Sequence, residues 1–441
     1  MADGRERGRD CGRLVALGWW AAGTGLTRVL QEVLRELAAD WRVDVAGIRW
    51  PGEERADSAA NAQAPYQVHT TANPADRSAA YLARDLCSRL SPRVVFVLHD
   101  VWTLGRYAQL IRPAAPGAAL VAYVPLDGEI VDPEEARGLL GWDLVVVYTE
   151  WAAAQVRGAW DALGEEGPPL AVVGHGVDCE AFRPAPELAA SGLATEGRAA
   201  AKRRLFSRLP LAEESYVVLN ASRPTPRKRL DLTLAGFAQF ARDKPDTVRV
   251  CLHLPIHEPE HLAMLRGLAE VHGIGHRLVL NPFGEREIVS DEELDLLYNA
   301  CDLGLNTSMG EGWGLVSFEH AAAGAPQVVP RHSACAELWE GSAEMVEPAR
   351  RFVPRFSPLR LAELDATDVA RALDAVYRDP ARQRRLAEAG LELVGRDELR
   401  WGSIGARWRE LIAVTVEQAA ERGGDRPGET GPRPPAVAGG A

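Results

Sequence analysis

No apolar run in this 441-residue chain approaches the roughly 18–20 residues needed to cross a bilayer, and the opening MADGRERGRDCGR lacks the apolar core of a secretion signal. Both absences predict a cytoplasmic protein without a transmembrane segment. Cysteine is scarce: Cys11, Cys87, Cys179, Cys251, Cys301 and Cys335 stand apart with no paired spacing, which argues against a disulfide framework and for reduced thiols. An excess of basic charge is also missing. With 62 acidic against 50 basic residues the net charge is −12, so duplex nucleic acid is not an expected partner and anionic lipid exerts no general attraction. No Asp-x-Asp pair occurs, which removes the usual device for holding a nucleotide-bound divalent ion; neither a metal nor an essential cofactor is expected. No repeat of solenoid length is present either.

What is there is an ordinary globular composition, 46% hydrophobic and 25% charged, in a chain long enough for two domains of about 200 residues each. The first half alternates apolar, strand-like runs with helical patterns: GRLVALGWW from Gly12, an amphipathic helix LTRVLQEVLRELAA, then VDVAGI, RVVFVLH, ALVAYVP, DLVVVYT and LAVVGHGVD. Near-continuous apolar strands of this kind suit a parallel sheet covered on both faces. A second series starts at SYVVLNASR and continues through VRVCLHL, RLVLN, DLGLNTS and QVV. The expected architecture is α/β, with two Rossmann-like doubly wound domains facing across a cleft at their strand C-termini. The boundaries read as 1–184 for the first domain, 185–201 for an alanine-, proline- and glycine-rich linker, 202–399 for the second domain, 400–422 for a last helix and 423–441 for a disordered glycine- and proline-rich tail.

The most informative stretch is GEGWGLVSFEHAAAGAP, Gly310 to Pro326. Gly312 and Gly314 disfavour helix, since glycine costs about 1 kcal/mol per interior position. A helix should therefore start near Leu315 and stop at about Ala323, where Gly324 and Pro326 end it. Glu311 then lies in a loop beyond a strand end and Glu319 on the helix. Free N–H groups at the helix start suit a phosphate or a hydroxyl-rich ligand. Two carboxylates so placed can accept hydrogen bonds from different parts of one elongated polyhydroxylated ligand, and a nucleotide sugar has that shape; the plainer alternative is a pair of solvated charges. In NASRPTPRKRLDL, Arg223 and Lys228 flank two prolines that keep the loop from folding into helix, so both cations can face one group, such as a diphosphate. Arg227 and Arg229 are read as facing solvent.

Gly23 and Gly25 lie on the first strand-to-helix turn, where backbone can approach a ligand; Trp19 and Trp20 precede them, one a candidate for the acceptor site and one for the core. His99, Asp100 and Trp102 end a strand, as do Asp127 and Glu150, which are candidates to touch an acceptor. Cys251, His253, His257 and His261 are zinc-competent types within eleven residues, but Pro255 and Pro259 break their register. ARRFVPRFSPLR, Ala349 to Arg360, interleaves Phe352 and Phe356 with arginines. It reads as an insertion packing both rings inward, the alternative being a surface for single strands or phosphorylated acceptors.

These residues together resemble the retaining family-4 glycosyltransferases, whose fold is GT-B and whose signature is E-x7-E, from about Leu14 to Trp408. The resemblance implies that Glu311 contacts donor-sugar hydroxyls, Glu319 the nucleotide ribose, and the Gly312, Trp313, Gly314 and Leu315 backbone the sugar and phosphate. It implies that Arg223 and Lys228, in a stretch similar to the family's GR…PRK with Ser222 in place of glycine, neutralise the diphosphate. The Gly23–Gly25 turn would face phosphate and acceptor, and His99 the donor sugar. His175 to Asp178 resembles the family's NGVD, with histidine replacing asparagine, and Phe182 and Pro184 complete that pattern. Trp401 marks a last helix expected to cross back onto the first domain. The implied activity is retaining, metal-independent transfer of a hexosyl group from a nucleoside-diphosphate sugar to a small-molecule, saccharide or lipid-linked acceptor hydroxyl. The alternatives on one scaffold are a phosphorylase and a nucleotide-sugar 2-epimerase.

Overall fold

The computed structural model describes residues 12–21, 23–48, 64–71, 73, 75–185, 195–207, 214–254, 258–284 and 289–424. Two parallel sheets dominate it. The first contains β1 (Arg13–Trp19), β2 (Arg42–Ile48), β3 (Gln67–Thr70), β4 (Val94–Leu98), β5 (Ala119–Val124), β6 (Leu144–Val147) and β7 (Leu170–Val172), in the order β3-β2-β1-β4-β5-β6-β7. The second contains β8 (Tyr216–Asn220), β9 (Val248–Leu252), β10 (Leu278–Leu280), β11 (Leu303–Leu305), β12 (Gln327–Pro330) and β13 (Glu344–Val346), in the order β10-β9-β8-β11-β12-β13. Each is doubly wound: the strand order reverses between β1 and β4 in one and between β8 and β11 in the other. Open α/β sheets bind ligands just beyond the strand ends at that reversal. Leu14, Val15, Ala16 and Leu17 are all fully buried, as expected for a strand with helices on both faces.

The helix Trp401–Gly424 packs on the first sheet's side of the molecule. Trp408 is fully buried with its ring 5.0 Å from Phe96 and 4.8 Å from Tyr123, and Arg409 and Arg422 bind Glu36 and Asp143 at 3.2 and 2.8 Å. Gly405 is required at the crossing, because a Cβ there would lie 2.5 Å from Glu36 Cβ. One hydrophobic cluster consequently runs from Leu14 and Phe96 through Phe182, Val217 and Phe318 to Trp408 and Ile412.

Two readings of the sequence change here. The segment assigned to a linker is in its second part a helix, Thr195–Leu205, and its charges are structural: Lys202 binds Asp302 at 2.7 Å and Arg198 donates to the Gly324 carbonyl at 3.2 Å, both side chains buried. Residues 186–194 of the linker, and 425–441 of the tail, lie outside the described residues. The arginine-rich insertion is an antiparallel ribbon, β14 (Arg350–Phe352) with β15 (Leu361–Glu363). It docks on the first sheet's side, with Leu359 and Leu361 buried in that core and Arg360 bridged to Glu129. Phe352 packs against that core, but Phe356 does not turn inward and is 50% exposed.

Candidate active site

The two strand reversals face one cleft of about 470 Å³. From the first sheet come the Gly23–Gly25 turn, Trp19, Asp100, Trp102, Asp127, Tyr148 and His175; from the second come Arg223, Arg227, Lys228, Asn306 and Glu311 to Leu315. Trp20 is the core member of its pair, packed edge-on to Tyr66 at 5.7 Å.

Local sequence explains each placement. Thr24 caps the helix Gly25–Leu37 by accepting from Thr27 N at 3.2 Å, while Gly23 takes φ +74°, so the turn stays tight. Across the cleft a Cβ on Gly25 would lie 3.4 Å from Leu315 Cδ1, so a side chain at this point would meet the opposite half. The helix Leu315–Ala322 starts where expected, behind Gly314 at φ +96°, a left-handed position that side chains strain to adopt. The N–H groups of Gly312, Trp313 and Gly314 meet no acceptor among the described residues, which leaves them as donors at the cleft. The prolines upstream give a short 3₁₀ turn, Pro226–Lys228, rather than an extended loop. It is pinned to the 307–309 turn by Met309 N donating to the Arg227 carbonyl at 2.8 Å and Thr307 Oγ1 to that of Lys228 at 3.1 Å.

At the centre Lys228 Nζ binds Glu311 Oε1 at 2.5 Å, and Asn306 Nδ2 donates to the same oxygen at 3.2 Å. Ser333 Oγ accepts from Glu311 N at 3.0 Å. Burial would push the Glu311 carboxyl up, but Lys228 and Arg227 overcome it and hold the group at about 2. Lys228 is itself lowered, by burial and by Arg227, against the pull of Glu311.

Arg227 corrects the sequence reading. It does not face solvent: its Nε binds Asp127 at 2.9 Å, its Nη1 lies 3.5 Å from Glu311, and it donates to the Gly310 carbonyl. Arg229 also departs from that reading, paired with Asp231 at 2.9 Å and with Glu363. Arg223 makes no ion pair or side-chain hydrogen bond among the described residues, and burial together with Arg227 lowers its pKa. A cation lining the cleft without a protein partner is the group best placed to meet an anionic ligand.

Three expected residues stand back from the cleft. His99 is buried against Trp19 and Tyr107, its Nδ1 accepting from Asp100 N at 2.8 Å, and burial lowers it to about 4; its neighbour Asp100 lines the cleft instead. Glu319 accepts from Tyr298 Oη at 2.7 Å and lies 3.6 Å from Arg28 Nε of the first half, an arginine also paired with Asp291. Burial raises Glu319 against those two partners. Glu150 does not line the cleft, and its backbone N–H donates to Glu337 at 3.1 Å. The zinc-competent group does not assemble among the described residues: Cys251 and His253 are buried on or just beyond β9, and His261 caps its own helix. His257 lies outside those residues, as do 285–288 of the loop expected to meet the base and most of the Trp50–Pro74 acceptor region.

Asp100 and His175 carry signals the sequence did not give. Burial, reinforced by Asp127, lifts Asp100 to about 7 against Arg227 and Arg223. His175 is enclosed by Tyr148, Trp313 and Trp401, with burial lowering it to about 3.

Two doubly wound lobes with cations, a low-pKa glutamate and free amides in the gap between them define a GT-B glycosyltransferase. The chain belongs to the family described as "Family 4 Glycosyltransferase in conflict systems", whose model matches residues 162–406. Among curated relatives, a D-inositol 3-phosphate glycosyltransferase of Nocardioides sp. is 30% identical over 276 residues, 59% of this chain and 53% of that protein. Another of that name from Thermobispora bispora is 27% identical over 368 residues, 74% of this chain and 80% of its own length. For the first of these the match spans about half the relative's length. Among solved structures, Anabaena HepE in complex with UDP and glucose aligns with TM-score 0.66 and 16% identity, over 91% of this chain and 100% of that one. Sucrose-phosphate synthase from Thermosynechococcus elongatus aligns with TM-score 0.68 and 16% identity over the same shares. At these identities the structures share the fold. No helix among the described residues is long and apolar enough to cross a membrane.

Proposed function

We propose that this protein is a retaining hexosyltransferase that moves a sugar from a nucleoside-diphosphate donor to an acceptor hydroxyl. The observation that carries the reading is the Lys228–Glu311 pair with the uncommitted Arg223 beside it, facing the free amides of Gly312 to Gly314. Arg223 and Lys228 would hold the diphosphate and stabilise the charge that builds on its oxygen as the sugar C–O bond breaks. The acceptor hydroxyl attacks the face the diphosphate leaves and passes its proton to the departing phosphate oxygen. Glu311, ionised throughout the working range, accepts hydrogen bonds from sugar hydroxyls and offsets the positive charge of the oxocarbenium-like state. In this scheme the protein's cations do the neutralising, without a metal, so EDTA should leave turnover unchanged.

UDP heads the donor panel because HepE was solved with UDP and glucose, and cyclitols join the acceptor panel because of the curated relatives' names. The described cysteines are all free, in keeping with a cytoplasmic setting. Thermal shift with UDP, GDP, ADP and TDP should single out one nucleotide, and Arg223→Ala should weaken its binding. Glu311→Ala should lower turnover at least about a hundredfold, the usual scale for losing a transition-state electrostatic contact. Unchanged turnover in the glutamate variant would remove Glu311 from the mechanism, and unchanged affinity in the arginine variant would end the diphosphate assignment.

A further inference from the structure

One end of the cleft is walled by two helices, one from each lobe. The helix Gly25–Leu37 lends it Gly25, Leu26 and Val29, and the helix Leu315–Ala322 lends it Val316, Ser317 and His320. Arg28 crosses from the first helix to the second lobe. Its Nε lies 3.6 Å from Glu319 Oε1, and its Nη2 pairs with Asp291 at the start of the helix Asp291–Ala300. Its guanidinium carbon stands 5.3 Å from the ring centroid of the buried Phe182.

This contact accounts for the retreat of Glu319. Its Oε2 accepts from Tyr298 at 2.7 Å and its Oε1 faces Arg28, so both carboxylate oxygens are engaged within the protein. Glu319 does not line the cleft, although Ser317 and His320 of the same helix do. A carboxylate so held is not offered to the hydroxyls of a ligand.

The contact is also one that can be exchanged. The Arg28 side chain is 27% exposed and that of Asp291 50%, so water can replace each partner. Both acids keep a second partner without Arg28: Glu319 retains the Tyr298 hydroxyl, and Asp291 the positive end of its own helix. Ion pairs open to solvent hold weakly and are screened by salt. The pair of Lys202 with Asp302 is built the opposite way, with both side chains buried from water.

We propose that Arg28 is an autoinhibitory strap. It ties the helix Gly25–Leu37 to Glu319 and Asp291, holds this end of the cleft shut, and must be displaced before a nucleotide can seat its ribose hydroxyls on Glu319. Only the released fraction of the protein then binds, and the apparent affinity is reduced by that fraction. This rests on the transferase reading above for its ligand.

The test compares the whole parent chain with Arg28→Met, which keeps an apolar stem without the charge, and with Asp291→Asn, a change at a half-exposed position. Titration calorimetry with UDP, GDP, ADP and TDP reads affinity, and hydrogen exchange without nucleotide reads the freedom of residues 25–37. The nucleotide that the parent binds should bind Arg28→Met about fivefold or more tightly, and Asp291→Asn about twofold more tightly. Exchange over residues 25–37 should be faster in Arg28→Met than in the parent, and about 0.5 M salt should narrow the affinity gap between them. Equal or weaker nucleotide binding by Arg28→Met overturns the strap: weaker binding makes Arg28 a ligand contact, and equal binding an ordinary ion pair. Unchanged exchange in that variant overturns it as well. Failure of the parent and both variants to bind any of the four nucleotides ends the donor assignment itself and the strap with it, an outcome distinct from a nucleotide that binds all three alike.

Discussion

Arg227 shows how far a single side chain departs from what its neighbours in sequence imply. Within NASRPTPRKRLDL it is one of four basic residues, and nothing local separates it from a solvated charge. Its partners are Asp127, a hundred residues upstream, and Glu311, so its role exists only once the two lobes meet. Glu311 and Lys228 were legible because their spacing and flanking glycines or prolines limit the backbone locally; Glu319 was legible as a helix residue but not as a buried partner of Arg28. Because Arg227 helps hold Glu311 at about 2, Arg227→Ala should let that pKa rise. The acid limb of the pH profile of kcat/KM would then move to higher pH, and kcat would fall by about tenfold or more. An unmoved acid limb would mean that Arg227 does not tune Glu311.

Among the elements, the strands that were read start within one residue of where they stand, since apolar runs bounded by glycine, proline and charge have few other outcomes, but LAVVGHGVD overran β7 by six residues and β3 and β13 carried no reading. The helix Leu315–Ala322 was equally plain, both ends being marked by glycine. Thr195–Leu205 was missed because the stretch read as an alanine-, proline- and glycine-rich linker with scattered charge, whereas Asp302 and backbone carbonyls satisfy Lys202 and Arg198 inside. The ribbon was missed because its core partners, Gly128 and Glu129, belong to the other half of the chain. The last helix is the element on which the first lobe most visibly depends. Trp408→Ala removes a fully buried ring wedged between Phe96 and Tyr123 and should cost about 3–5 kcal/mol, read as a lower urea midpoint. A loss below about 1 kcal/mol would show that the helix is not integral to that lobe.

For the molecule as a whole, four of the five buried histidines among the described residues shape the response to acid. His99 and His332 are held near 4, and His175 and His320 near 3, in each case chiefly by burial. Unfolded, each would titrate near about 6.5. Below that pH the unfolded chain binds more protons than the folded one, so stability falls as pH falls, by up to about 1.4 kcal/mol per unit for each histidine. Together they give a slope of as much as about 5 kcal/mol per pH unit between roughly 6 and 4, of which Asp100, lifted to about 7 in the fold, offsets up to about 1.4. Glu311 adds to the loss only below its unfolded value of about 4.3. Chemical denaturation between pH 7 and 5 should show this early decline, and His175→Phe should make it shallower by one proton's worth. A midpoint constant over that interval would contradict the buried, neutral state of these rings.

The return of residues 401–424 to the first sheet also dictates an order of events during synthesis. A ribosome that has made the first 200 residues has made every strand of that sheet but not the helix that shields Phe96 and Tyr123. The amino-terminal half must therefore wait, with part of its apolar surface open, for about 200 further residues to emerge. At about 5–20 residues per second that wait lasts on the order of ten to forty seconds, an interval in which chaperones have reason to bind the nascent chain.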